Sequence, residues 1–271
     1  MSSSLPIVIS VTSGKGGVGK TNVSVNLALC LSRLGRRCVI LDADLGLANV
    51  DVVLGLTPER NLFHVFHEGV SLSDILYPTA YGFSILPAAS GVSEMLSLST
   101  GQKLELLEAM DVLEDSIDFL IVDTGAGIND NVLYFNLAAQ ERLVVVTPEP
   151  TSLTDAYALI KVLKLRHGVD KFHIVVNMAQ SEKSAKDIFA KLYNACDHFL
   201  TGVSLDFVGA IPQDKAVRQA VIEQRPFCDL SPDADASLAV QRIARNLVQW
   251  TPQDHLDGNI KFFWKKLLFA E

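Results

Sequence analysis

Short apolar runs rich in β-branched residues alternate along this chain with longer stretches whose apolar positions recur at helical spacing. The runs Ile7–Val11, Cys38–Leu41, Phe83–Leu86, Phe119–Val122, Leu143–Thr147, His173–Val176 and Phe207–Ala210 are predicted strands. Several are apolar throughout, the pattern of strands covered on both faces. Helices are predicted over Lys20–Leu34, Gly101–Asp115, Ser152–Arg166, Ser184–Asn194, Lys215–Glu223 and Asp235–Trp250. This alternation implies an α/β fold, a mostly parallel central sheet between two helical layers. No internal repeat or low-complexity segment interrupts it.

The pattern changes after residue 250. Thr251–Asp257 (TPQDHLD) is polar and contains a proline, so it reads as a linker between a domain over residues 1–250 and a tail over 258–271. In the tail, Ile260, Phe263, Trp264, Leu267 and Leu268 fall on one face of a helix, flanked by Lys261, Lys265 and Lys266. A basic amphipathic C-terminal helix carrying Trp and Phe suits the interface of an anionic membrane. The same face would also dock on the domain or on a partner protein.

Composition narrows the setting. With 49% hydrophobic and 20% charged residues the chain has the make-up of an ordinary globular protein with a substantial core. A formal net charge of −8 argues against direct nucleic-acid binding as its main activity, because that needs clustered cations. Cys30, Cys38, Cys196 and Cys228 lack CxxC spacing, and the first two sit in apolar runs as expected of buried thiols. Met1–Pro6 has no signal-peptide pattern, and no stretch reaches the roughly 18 apolar residues that span a bilayer. These features predict a cytoplasmic protein, with reversible peripheral association at the inner face of the cell membrane through residues 258–271.

Directly after the first predicted strand, Gly14-Lys15-Gly16-Gly17-Val18-Gly19-Lys20-Thr21 fits G-x-x-x-x-G-K-[ST]. Such a loop turns backbone N–H groups inward around phosphate oxygens, at the positive N-terminal end of the next helix. Lys20 is expected to reach the β- and γ-phosphates, and the Thr21 hydroxyl to bind Mg²⁺. Residues Gly14 to Thr21, with Asn22 beside them, form the candidate ATP-binding set. Its place between an apolar strand and an apolar-faced helix argues against a chance glycine-rich turn and makes the fold a P-loop NTPase, three-layer α/β/α. Lys15 is an additional cation. It either stabilises charge developing at the γ-phosphate or is a solvated loop lysine.

Two acidic segments complete the constellation. Leu41-Asp42-Ala43-Asp44 ends the second strand, and carboxylates at the carboxyl end of a parallel strand point into the ligand crevice. Asp44 is the candidate for positioning an attacking water and lying near the metal, with Asp42 supporting the lysines and the metal; the alternative is a turn with a solvated Asp pair. Phe119–Asp123 is an apolar strand ending in Asp, and Asp123 is a candidate Mg²⁺ ligand through water. Thr124-Gly125-Ala126-Gly127 follows as a Gly-rich turn.

The loop GKGGVGKT resembles the deviant Walker A loop of the MinD/ParA group of ATPases, and the Asp44 and Thr124–Gly127 segments resemble its switch regions. The resemblance implies that Lys15 contacts nucleotide across an ATP-dependent homodimer, and that Asp44 is catalytic alongside Lys15 and Lys20. It also implies that Asn177, Ile211 and Pro212 contact the base; on residues alone, Asn177 reads as a strand-end cap and Pro212 as a helix-start proline. Glu149 and Asp155 match dimer-interface positions, although Ser152 and Asp155 also fit a capping box.

Across LDADLGLANVDVVLGL (41–56), DTGAGI (123–128), PEPTSLTDAYALIK (148–161) and the tail, the chain is most similar to the flagellar-number regulators of the FlhG/FleN family. That resemblance implies slow, partner-regulated hydrolysis of ATP to ADP and phosphate, which resets a dimer to monomers and restricts flagellar number. The implied partner is a flagellar transcription activator, an FlhF-type GTPase or a switch-complex protein. Some relatives carry a DQAxxLR activator segment before the first strand. Only Met1–Pro6 stands there here, which favours the transcription activator. A MinD-like cell-division or ParA-like DNA- or cargo-positioning ATPase is the alternative.

Overall fold

The computed structural model describes residues 6–45, 47–88, 99, 101–102 and 110–251. The linker beyond Thr251 and the amphipathic tail predicted over 258–271 lie outside the described residues. The strands are β1 (Ile7–Ser13), β2 (Cys38–Ala43), β3 (Tyr77–Pro78), β4 (Ser84–Leu86), β5 (Phe119–Ala126), β6 (Glu141–Val146), β7 (Lys171–Ala179) and β8 (Ser204–Pro212). They form one sheet in the order β3-β4-β2-β5-β1-β6-β7-β8, parallel except at the β3–β4 edge. All seven predicted strands are present. β1 and β2 are buried along their whole length, which is why they read as unbroken apolar runs.

The described helices are α1 (Lys20–Arg33), α2 (Val50–Leu54), α3 (Leu62–Glu68), α4 (Leu72–Ile75), α5 (Asp130–Ala138), α6 (Pro150–His167), α7 (Glu182–Phe199), α8 (Lys215–Ile222), α9 (Phe227–Leu230) and α10 (Asp235–Leu247). Ile7, Ile9 and Val11 of β1 face a core with Leu27 and Leu31 of α1 and Val240 and Ile243 of α10. Val8 faces the opposite layer, with Leu62 of α3, Ile75 of α4 and Phe135 of α5. Farther along that layer, Val144 and Val146 pack with Leu159 and Ile160 of α6 and Ile188 and Leu192 of α7. This is the three-layer α/β/α arrangement expected from the alternation.

β1 lies between β5 and β6, so the chain runs outward from it in both directions. Ligands of open parallel sheets bind at the carboxyl ends of strands beside such a reversal. β2, β5 and β1 are neighbours, and their carboxyl-end loops therefore converge.

Several elements differ from expectation. α5 was not predicted because most of its side chains are buried on all sides, Val132 through Asn136 included, so no amphipathic period marks it. The short helices α2, α3, α4 and α9 lack the length over which a period becomes visible. Of the helix expected over Gly101–Asp115, residues 103–109 lie outside the described residues, and its end, within Asp111–Ser116, is a 3₁₀ turn. α6 begins at Pro150, with Glu149 at its N-cap and no side-chain cap. The Ser152–Asp155 capping box therefore does not form; Ser152 Oγ instead accepts the Thr147 N–H at 3.0 Å.

Candidate nucleotide site

The loop from Gly14 to Gly19 joins β1 to α1. Gly19, with φ 89°, is the N-cap of α1, and a Cβ there would lie 2.5 Å from Asn177 Nδ2. Gly14 packs so tightly on the Asp155 carbonyl of α6 that a Cβ would overlap it. Both glycines are therefore demanded by close approach of backbone to neighbouring groups. Lys20 is buried and donates from Nζ to Ser13 Oγ at 3.0 Å. Burial holds its ammonium pKa below the usual lysine value, partly offset by the Asp123 and Asp44 carboxylates. Lys15 points elsewhere. Its ammonium pairs with Glu149 and donates to Thr151 Oγ1 at 3.0 Å, both at the start of α6.

Asp42 and Asp123 pair in register on adjacent strands β2 and β5. Asp123 accepts from Ser24 Oγ at 2.8 Å and from the Thr21 hydroxyl, both on α1. Burial raises its pKa to about 6 against those hydrogen bonds and the pull of Lys20. Asp42 is pushed well above the usual carboxylate range by burial, then by Asp123, against the backbone N–H bonds it accepts from Val50 (3.1 Å), Asn49 (3.0 Å) and Asp44 (3.2 Å). It thus ties the backbone of Asp44 to that of Asn49 and Val50. Asp44 is half-buried, and burial raises its pKa against the attraction of Lys20. Its carboxylate rests beside Gly125, whose absent Cβ would lie 3.3 Å from Asp44 Oδ1. Both Asp-bearing segments thus meet at Lys20, and neither acid is a freely solvated turn residue.

Asn177 lies inside β7, two residues before its end, and so is no strand-end cap. Its Nδ2 donates to the Val18 carbonyl at 2.7 Å and its Oδ1 accepts the Met178 N–H at 2.9 Å. Pro212 closes β8 opposite Ala179, and the helix after it starts at Lys215 with Asp214 as its N-cap. Pro212 is therefore not a helix-start proline. The Ile211 side chain is buried in the core, leaving only its backbone for a ligand. Asn22 sits in the first turn of α1, where its carbonyl accepts from Asn26 Nδ2 at 2.8 Å.

The family model described as "ParA: NUBPL iron-transfer P-loop NTPase" matches residues 5–248. The chain belongs to the ParA/MinD family of P-loop NTPases. It is 50% identical to the antiactivator FleN of Pseudomonas aeruginosa, over 96% of this chain and 93% of that protein. It is 31% identical to the flagellum site-determining protein YlxH of Helicobacter pylori, over 96% and 89% respectively. The septum site-determining protein MinD of Pyrococcus horikoshii, solved with Mg-ADP, superposes with a TM-score of 0.74 at 27% identity, covering 94% of this chain and 98% of that one.

For a ParA/MinD-family site, the donors at Thr21 and Asp123 fit a magnesium ion. They are oxygen ligands already hydrogen-bonded to each other beside the phosphate loop, and a buried carboxylate disfavoured as a bare anion is favoured by a cation. The four cysteines are all buried, and no cluster of three or more His, Cys, Asp or Glu suited to a metal occurs among the described residues.

Three contacts escaped the sequence reading. Ser13 supports Lys20, Ser24 supports Asp123, and Asn136 ties α5 to β1. Ser24 stands one turn after Thr21 on α1, a spacing that could have flagged it. Asn136 is fully buried, accepts from Ser10 Oγ at 3.0 Å, and donates to Thr12 Oγ1 at 3.0 Å and the Val132 carbonyl at 2.8 Å. Nothing in the local sequence marks it.

Proposed function

We propose that this protein is an ATP-dependent dimerising switch that restricts flagellar number, and that hydrolysis of ATP to ADP and phosphate returns the dimer to monomers. The observation that carries the reading is the division of labour between the two loop lysines. Lys20 lies inside the cradle against Ser13, whereas Lys15 sits at the rim, exchangeably paired with Glu149 and Thr151. A rim lysine on a solvated ion pair is free to reach a phosphate bound in a second copy of the chain. The likeness to FleN and YlxH supports the flagellar role.

In this reading the loop amides of Gly14 to Thr21 hold the phosphates, and Lys20 neutralises the β- and γ-phosphates. Thr21 and Asp123, with Asp44 beside them, would hold a Mg²⁺ ion, which would supply charge neutralisation at the γ-phosphoryl group. Asp44 orients the attacking water, and Lys15 of the other subunit stabilises charge on the departing phosphate. Asn177, Pro212 and the Ile211 backbone contact the base. The protein partner is a flagellar transcription activator, an FlhF-type GTPase or a switch-complex protein. Residues 258–271 are assigned a peripheral membrane contact; no helix among the described residues is long and apolar enough to cross a membrane.

Size-exclusion chromatography with ATP and Mg²⁺ tests the switch. Lys20→Ala should stay monomeric and fail to bind ATP, Lys15→Ala should bind ATP without dimerising, and Asp44→Ala should accumulate as a dimer that does not turn over. A monomeric Asp44→Ala beside a dimeric wild type would sink the role given to Asp44. A normal flagellar count in a strain lacking the gene would sink the flagellar reading.

A further inference from the structure

β7 does not keep its register against β8 to the end. Val176 pairs with Ala210 and Ala179 with Pro212, so Asn177 and Met178 together oppose Ile211 alone. This is a β-bulge, a device that re-aims side chains beside functional sites. Met178 is the extra residue and takes φ 55°, a left-handed conformation that a residue with a Cβ rarely adopts. Its N–H is held by Asn177 Oδ1. Met178 is 40% exposed between two buried residues, Asn177 and Ala179.

The side chain leans over the phosphate loop: a Cβ built on Gly19 would lie 3.9 Å from Met178 Cε. The bulge therefore does two things at once. It turns the Asn177 amide onto the Val18 carbonyl, and it sets a soft apolar side chain at the rim, between Gly19 and the end of β7 beside Pro212. Glycine or asparagine would hold this backbone with less strain, so the conformation alone does not account for a methionine. A partly bare thioether on strained backbone next to a ligand site calls for a ligand surface to cover it.

We propose that Met178 covers one face of the nucleotide base and sets a preference for purine over pyrimidine triphosphates. The proposal rests on the reading of Asn177 and Pro212 as base contacts. A polarizable sulfur and its methyl gain from contact with an aromatic face, and a two-ring base offers them more surface than a one-ring base.

The test is equilibrium binding of ATP, CTP and inorganic tripolyphosphate, each with Mg²⁺, to the full chain. Met178→Gly keeps the left-handed backbone and removes the side chain; an unchanged or raised melting temperature shows that it folds. It should weaken ATP binding by about three- to tenfold, narrow the gap between ATP and CTP, and leave tripolyphosphate binding unchanged. Met178→Leu should recover most of the ATP affinity. The proposal is overturned if Met178→Gly binds ATP as the wild type does, or loses tripolyphosphate affinity by the same factor. Asn177→Ala separates the two layers of the argument. If it abolishes the ATP preference while Met178→Gly does not, the base site stands and Met178 has no part in it. If the wild type binds ATP and CTP equally, the base-site reading fails and the proposal with it.

Discussion

Replacing Asp123 by Asn should make the ligand-free protein more stable while abolishing its Mg²⁺-dependent function. In the folded chain the Asp123 carboxyl titrates at about 6 rather than at its ordinary 3.8, because burial outweighs the hydrogen bonds from Thr21 and Ser24 and the pull of Lys20. A raised carboxylate pKa means the folded state holds the proton more tightly than the unfolded chain does. Stability is therefore lost as pH rises from about 4 to about 6, and the loss is complete above that window. The difference of about two pKa units corresponds to about 3 kcal/mol at pH 8. The amide keeps an acceptor for Ser24 Oγ and carries no charge to desolvate, so Asp123→Asn should recover about 2–3 kcal/mol there. In a domain of this size that raises the melting temperature by roughly 4–10 °C. At pH 5, where the wild-type group is largely protonated in the fold, the gain should fall to about half. Urea denaturation at both pH values, without nucleotide or metal, measures it. A variant less stable than wild type at pH 8, or a gain equal at both pH values, would refute the assignment of a disfavoured buried anion.

Glu149→Gln removes the partner of Lys15 at a largely exposed site, so folding stability should change by no more than about 0.5 kcal/mol. The freed lysine should raise the dimer fraction at a given ATP concentration in sedimentation or size-exclusion runs; a lower fraction would mean that Glu149 itself serves the dimer. Gly14→Ala places a methyl against the Asp155 carbonyl and should abolish ATP binding by displacing the loop, with wild-type affinity as the refuting result. Asn136→Ala strands buried partners on β1 and in α5 and should cost about 2–4 kcal/mol in urea denaturation, whereas a cost under about 0.5 kcal/mol would show that water replaces the amide.

The sheet was legible because its strands are covered on both faces, and such strands announce themselves as apolar runs such as Ile7–Val11 and Phe119–Val122. The phosphate loop was legible because close approach leaves only glycine at Gly14 and Gly19. Helix α5 was not legible, since burial on all sides erases the period that marks a helix. Strand order, which brings β2, β5 and β1 side by side, depends on contacts between residues far apart in the chain and has no local signature. The bulge at Asn177 and Met178 was hidden for the same reason, because register belongs to the pair β7 and β8. The capping box at Ser152 shows the opposite error. The local pattern was satisfied, but Pro150 supplied an earlier helix start and Ser152 was taken up by Thr147.

Burial raises the pKa of Asp42, Asp44 and Asp123 and lowers that of Lys20, so the fold disfavours charge on both sides of the cluster. Asp42 sits beside Asp123 in the sheet, yet its hydrogen bonds go to the backbone of Asp44, Asn49 and Val50. The loop they organise carries Leu47, 71% exposed, and leads into α2, where Val52 is 53% exposed.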